Sequence, residues 1–187
     1  MTTEPFASAL ASFAEEWVGG DIRGLHALAT TLYGYLPEMT GITAALDREV
    51  SGLAAGHGWQ GPAASAFTAA WRRDAVAVDA LAVAIARTAA VVDALAVRLA
   101  TIEKALEEEA HTAARYGVAI GTDGRPPPEP AGPPASSAEA SERHWARAYR
   151  QAYQRAMTDA RQARQQAAST LRDLYASIEA AGHLART

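Results

Sequence analysis

From Phe67 to Leu106, apolar side chains return in a 4-3 rhythm: Phe67, Trp71, Val78, Leu81, Ile85, Val92, Leu95, Leu99, Ile102 and Leu106. Only Asp74 and Thr88 interrupt the line. A repeat averaging 3.5 residues keeps one helix face apolar over many turns, so the stretch reads as a coiled-coil-like seam. A half-buried strand would need alternation at a period of two, and no convincing case occurs in the 187 residues. Pro62 opens the stretch where a first-turn proline belongs, since its missing N–H would have had no helical partner there. A helix over 62–115 would measure ~80 Å at 1.5 Å per residue, too long for a compact globule. The fold class is therefore all-α, and the architecture predicted is an elongated bundle.

The flanking sequence supplies partners for this helix. Asp21 is a suitable N-cap, and from Ile22 through Leu25, Ala29, Leu32, Leu36, Met39, Ile42, Leu46 and Val50 to Leu53 apolar residues recur every three or four positions. Pro37, with Gly41 nearby, predicts a kink. Gly56 and Gly58 supply the positive-φ freedom that a helix end often uses. Residues 116–137 hold four glycines and six prolines, which excludes a helix and predicts an extended, fairly stiff linker. Ser136 and Glu139 then fit a capping box. A third helix follows, its apolar line running through Trp145, Tyr149, Ala152, Ala156, Ala163, Ala167, Leu171, Leu174 and Ile178. Before all of this, residues 1–20 read as a short amphipathic segment with Phe6, Leu10, Phe13 and Trp17 on one face. The organisation is thus 1–20, a helical pair over 21–116, a Pro/Gly-rich linker over 117–136 and a C-terminal helix over 137–187.

Several function classes drop out. There is no cysteine, and His26, His57, His111, His144 and His183 form no i, i+4 pair, so no metal or other cofactor is expected. No nucleophile–base pair supports an enzyme, and "GTDGRPPPEP" lacks the Lys-Ser/Thr of a phosphate loop. Glu107, Glu108 and Glu109 read as a solvated face. Residues 1–135 carry 9 Lys/Arg against 16 Asp/Glu, and residues 136–187 carry 8 against 5, within a net charge of −4. A weakly basic third helix beside an acidic body suits docking within the molecule or contact with an acidic surface. It is too weak for a nucleic-acid surface without an aromatic-basic stripe. The N-terminus lacks the basic and apolar regions of a Sec-type signal peptide. Asp79, Arg87, Asp93 and Arg98 interrupt the most apolar stretch and argue against a membrane span.

Trp59 stands in the turn between the first two helices, within "GHGWQGPAASAFTAAW" at 56–71. Two helices joined by a short turn fold back antiparallel to bury facing stripes. An indole there either plugs the open end of the core beside Phe67 or stays at the tip for a partner. "WQG" at 59–61, followed by Pro62, Ala63, Ala64, Phe67 and Trp71, resembles the motif of the WXG family of type VII (ESX-like) secretion substrates. The resemblance covers residues 21–115. It implies a helical hairpin with a Trp-x-Gly turn that pairs, with itself or with a small WXG-type helical partner, into a four-helix bundle. It also implies recognition by a secretion ATPase and export without a Sec signal.

The family's second signal, Tyr-x-x-x-Asp/Glu, is matched by Tyr175 and Glu179 in "YASIE". At i and i+4 the phenol and carboxylate share one helix face, where a partner can read both. The alternative is a half-buried tyrosine beside a solvated charge. The chain departs from the family in being nearly twice the usual length, in its N-terminal segment and in carrying the tyrosine on a separate third helix. By helix rise, that helix falls ~25 Å short of retracing the second, a gap the linker could span to bring Tyr175 beside Trp59.

The expected recognition residues are therefore Trp59, Gly61, Tyr175 and Glu179. Phe67, Trp71, Leu81, Ile85, Val92, Leu95, Leu99 and Ile102 are expected to pack the bundle. The implied function is a non-enzymatic secretion substrate or delivery partner. The competing readings are a cytoplasmic coiled-coil scaffold and the targeting domain of a toxin whose toxic part is separate.

Overall fold

The computed structural model describes residues 17–56 and 59–184, and among them it is all-helical, with no strand. Three helices follow one another: α1 over Ile22–Gly56, α2 over Pro62–Arg115 and α3 over Ser137–Leu184. Phe6, Leu10, Phe13 and His57 lie outside the described residues.

Local chemistry sets the helix ends. Asp21 caps α1, its carboxylate accepting from the Gly24 N–H at 2.7 Å. The helix then runs unbroken through Pro37 to Gly56. At the far end of α2, Gly117 has φ +88° and the Val118 N–H reaches back to the Ala113 carbonyl, while the Gly117 N–H reaches Ala114. This is a Schellman cap, and Val118 tucks its side chain into the core as such caps commonly do. Ser136 Oγ accepts from the Glu139 N–H at 3.1 Å, as a capping box requires, but the Glu139 carboxylate reaches the Ala135 N–H, one residue earlier than expected. That bond, with Arg143 beside it, holds the Glu139 carboxyl below its usual range.

The chain divides into two compact units. The first comprises residues up to Leu25 together with Ala94–Ser169. Its core joins Leu99, Ile102 and Leu106 of α2 to Tyr149 of α3, with Val18, Ile22 and Val118 closing it. Alanines fill the remaining contacts: Ala96, Ala110 and Ala113 from α2, and Ala146, Ala156 and Ala160 from α3. Small side chains let helices approach closely, so Leu99 and Leu106 become fully buried between them.

The linker belongs to this unit and is pinned along α3. Tyr149 donates to the Gly124 carbonyl, Arg150 to Pro127 and Glu129, and Arg143 to Gly132 and Pro133. The sequence separations of these bonds fall from 25 to 10, so the linker retraces the start of α3. Instead of spanning a gap towards the turn, its length is spent in folding back. Gly124 has to be glycine twice over: its φ is +70°, and an added Cβ would lie 2.4 Å from the Trp17 indole. Trp17 donates its ring N–H to the Thr122 carbonyl at 2.9 Å. Arg164 binds the Val18 and Gly19 carbonyls, and Glu103 accepts from the Val18 N–H at 3.0 Å. Arg143, Arg150 and Arg164 of α3 thus bond within the molecule, largely to backbone carbonyls.

The second unit comprises His26–Asp93 and the residues from Thr170 onward. His26 bonds Asp93 at a sequence separation of 67, and Trp71 donates to Asp47 at a separation of 24. Few side chains are buried here: Ala29, Val50, Ala64, Ala84, Ala89 and Val92. Of the fifteen large apolar side chains exposed among the described residues, thirteen belong to this unit, so the seam is buried in one unit and only partly covered in the other.

The expected packing residues divide accordingly. Val92, Leu99 and Ile102 are buried, Leu95 packs against the core, and Trp71 and Ile85 are half-buried. Phe67 and Leu81 are exposed, a correction to the expected bundle packing, because too little apolar surface within the second unit covers them. Asp74 is exposed as well, so no buried polar residue sets the register there.

Candidate functional site

The turn is built from Gly61 outward. Its φ of +103° lies in the region open mainly to glycine, and its carbonyl accepts the Ser65 N–H, the first bond of α2. Nothing lies within 4 Å of where a Cβ would sit. Glycine is therefore needed here for its conformation and not for a close approach. With the chain bent sharply before Pro62, Trp59 is carried over Phe67, with ring centroids 5.3 Å apart and planes tilted by 59°. This is a favourable edge-to-face type of contact. It does not bury the indole, which remains 37% exposed, and Phe67 is more exposed still.

On α3, Tyr175 donates its hydroxyl to the Glu179 carboxylate at 3.0 Å. This i, i+4 bond pushes the phenol's pKa up, because ionising it would break the bond beside a negative charge. Tyr175 is 63% exposed, so the half-buried alternative does not describe it. The pair presents a phenol and a carboxylate together on one solvent-facing strip.

The two elements are each assembled locally. Leu174 and Ile178, on either side of Tyr175, line a groove with the Arg73–Arg87 stretch of α2. That stretch begins twelve residues past Gly61, about 18 Å along the helix. No hydrogen bond or ring contact among the described residues joins Trp59 to Tyr175. The linker's fold back along α3 removes the reach on which their meeting within one chain depended.

Two polar anchors went unread in the sequence. Glu103 is 4% exposed, and its spacing from Leu99 and Leu106 places it on the buried line, which could have flagged it. Tyr149 lies on the apolar line of α3, yet it is buried with its hydroxyl 2.5 Å from the Gly124 carbonyl. Burial pushes its phenol well up, and Tyr153, Asp123 and Glu103 oppose a negative charge there. The neutral phenol therefore contributes stability that is fully present below about pH 10, the unfolded value, and is lost as pH rises towards the folded one. Tyr149→Phe is expected to cost about 1 kcal/mol at pH 7 and to flatten the loss of stability above about pH 10. Chemical denaturation from pH 7 to 11 measures both.

α2 is long and apolar enough to cross a membrane by length and composition, with 17% of its most apolar window buried. Comparison with protein-family models, curated proteins and solved structures finds no match.

Proposed function

We propose that this chain is a non-enzymatic substrate or delivery partner of a type VII (ESX-like) secretion system. In this reading α1 and α2 form the antiparallel hairpin, Trp59-Gln60-Gly61 is its turn, and a second copy or a small WXG-type helical partner completes a four-helix arrangement. The secretion ATPase reads the tip and the Tyr175–Glu179 pair as two parts of one export signal. Since the two parts are built apart in one chain, a neighbouring subunit supplies the juxtaposition. The observation that carries the reading is the indole of Trp59, left partly in solvent on a turn that glycine conformation holds sharp.

Trp59→Ala separates a signal from a plug. A plug buried in a core would cost about 3 kcal/mol or more on truncation. A partly exposed ring resting on one exposed phenylalanine is expected to cost about 1 kcal/mol, while export to the culture medium is lost. Thermal melting of the purified variant and immunoblotting of medium and cells are the measurements. Export at the wild-type level with a melt lowered as for a buried tryptophan would favour the scaffold reading, in which the Trp59–Phe67 contact serves packing alone.

A further inference from the structure

We infer that the groove between α2 and the end of α3 in the second unit is a docking site for an acidic amphipathic helix of another protein. This holds whether or not the chain is exported. The groove has a volume of about 490 Å³ and is floored by Val76, Leu81 and Val83 of α2, with Leu174 and Ile178 of α3 as its opposite wall. Val76 and Val83 lie off the 4-3 seam, seven residues apart with Ala80 between them, and form a second apolar stripe on the helix. All three of the α2 floor residues are exposed, so the stripe lacks a cover among the described residues.

Charge decides which occupant fits. Arg73 and Arg87 line the groove at opposite ends of its α2 wall, and no acidic side chain lines it. The two arginines stand fourteen residues apart, about 21 Å along the α2 backbone, the length of about four helical turns. An apolar floor between two cations is the complement of a helix with one apolar stripe and carboxylates near both ends. A second copy using the same face is disfavoured. Antiparallel pairing about a two-fold axis would set Arg73 against the other copy's Arg87, like against like. A flat lipid surface is a poorer match than a rod, because the apolar strip is recessed between two helices.

The test uses the full chain and two fluorescein-labelled synthetic helices of about 18 residues with the same Leu/Ala stripe, one carrying Glu and the other Lys on its polar face. Fluorescence anisotropy is expected to show binding of the Glu peptide that weakens as salt rises, and little binding of the Lys peptide. The double variant Arg73→Glu/Arg87→Glu is expected to lose about tenfold or more for the Glu peptide and to gain for the Lys peptide. Val83→Asp is expected to abolish both, and circular dichroism should stay unchanged because the position is exposed. Equal binding of the two peptides, no binding of the Glu peptide, or capture by phosphatidylglycerol vesicles in preference to it would overturn the assignment. So would self-association of the chain that Val83→Asp disrupts. Export of the Trp59 variants is read separately, so either conclusion can fail without the other.

Discussion

Leu99→Ala is expected to lower stability by about 2–5 kcal/mol, whereas Leu81→Ala, on the same 4-3 line, is expected to cost about 0.5 kcal/mol or less. The two leucines are indistinguishable by pattern. Leu99 is 0% exposed, and its removal leaves a cavity among Ala96, Ile102 and Tyr149 that close helix packing cannot readily collapse. Leu81 is 49% exposed, so truncation removes little buried surface, and alanine is the better helix former. Urea denaturation of the two variants gives the comparison directly. Similar losses at both sites would mean that the second unit is covered in solution by something the single chain does not provide.

Amide exchange is expected to show the same division on a larger scale. The amides of α2 between Ala96 and Ala113, and those of α3 between Ala146 and Ala160, should exchange at least about a hundredfold more slowly than those of α1 or of α2 between Pro62 and Leu81. The physical reason is the chemistry of what is buried. Among the described residues, four of the six buried side chains in the second unit are alanines, while the first unit buries Leu99, Ile102, Leu106 and Tyr149. Full burial of such large side chains contributes about 1.5–3 kcal/mol each, and an alanine methyl contributes far less. Peptide-resolved hydrogen–deuterium exchange measures the contrast. Adding a helix that occupies the groove should slow exchange around Val76–Arg87 in particular. Uniform protection across both units would contradict the division.

The helices were largely legible because their ends are written in local chemistry. Asp21, Pro62 and Ser136 each satisfy or remove backbone donors at a helix start, and all three were read from the residues alone. The seam was legible as a face, but periodicity reports which residues share a face and not what lies opposite. Phe67 and Leu81 therefore looked equivalent to Leu99 and Ile102 until the surrounding chain was seen. The linker's course was illegible for a related reason. It is held by side chains on backbone carbonyls, Tyr149 on Gly124 and Arg150 on Pro127, and any residue can present a carbonyl.

At the candidate site the sequence was informative on each element and silent on their arrangement. The i, i+4 spacing of Tyr175 and Glu179 predicts the bond that forms between them. The demand for glycine at position 61 is met, through its φ. Helix lengths allow their juxtaposition only with a linker that carries α3 towards the turn, whereas the linker retraces the start of α3. The groove flanked by Arg73 and Arg87 was available as a second stripe, Val76–Ala80–Val83, but the stronger 4-3 seam masked it.

The most direct measurement is the distribution of this chain between cells and culture medium when the type VII secretion ATPase of its host is inactivated at its nucleotide-binding lysine. Export through that machinery predicts that the protein leaves the medium and accumulates, folded, inside the cells. Unchanged appearance in the medium, or absence from it even with the ATPase active, would contradict the account.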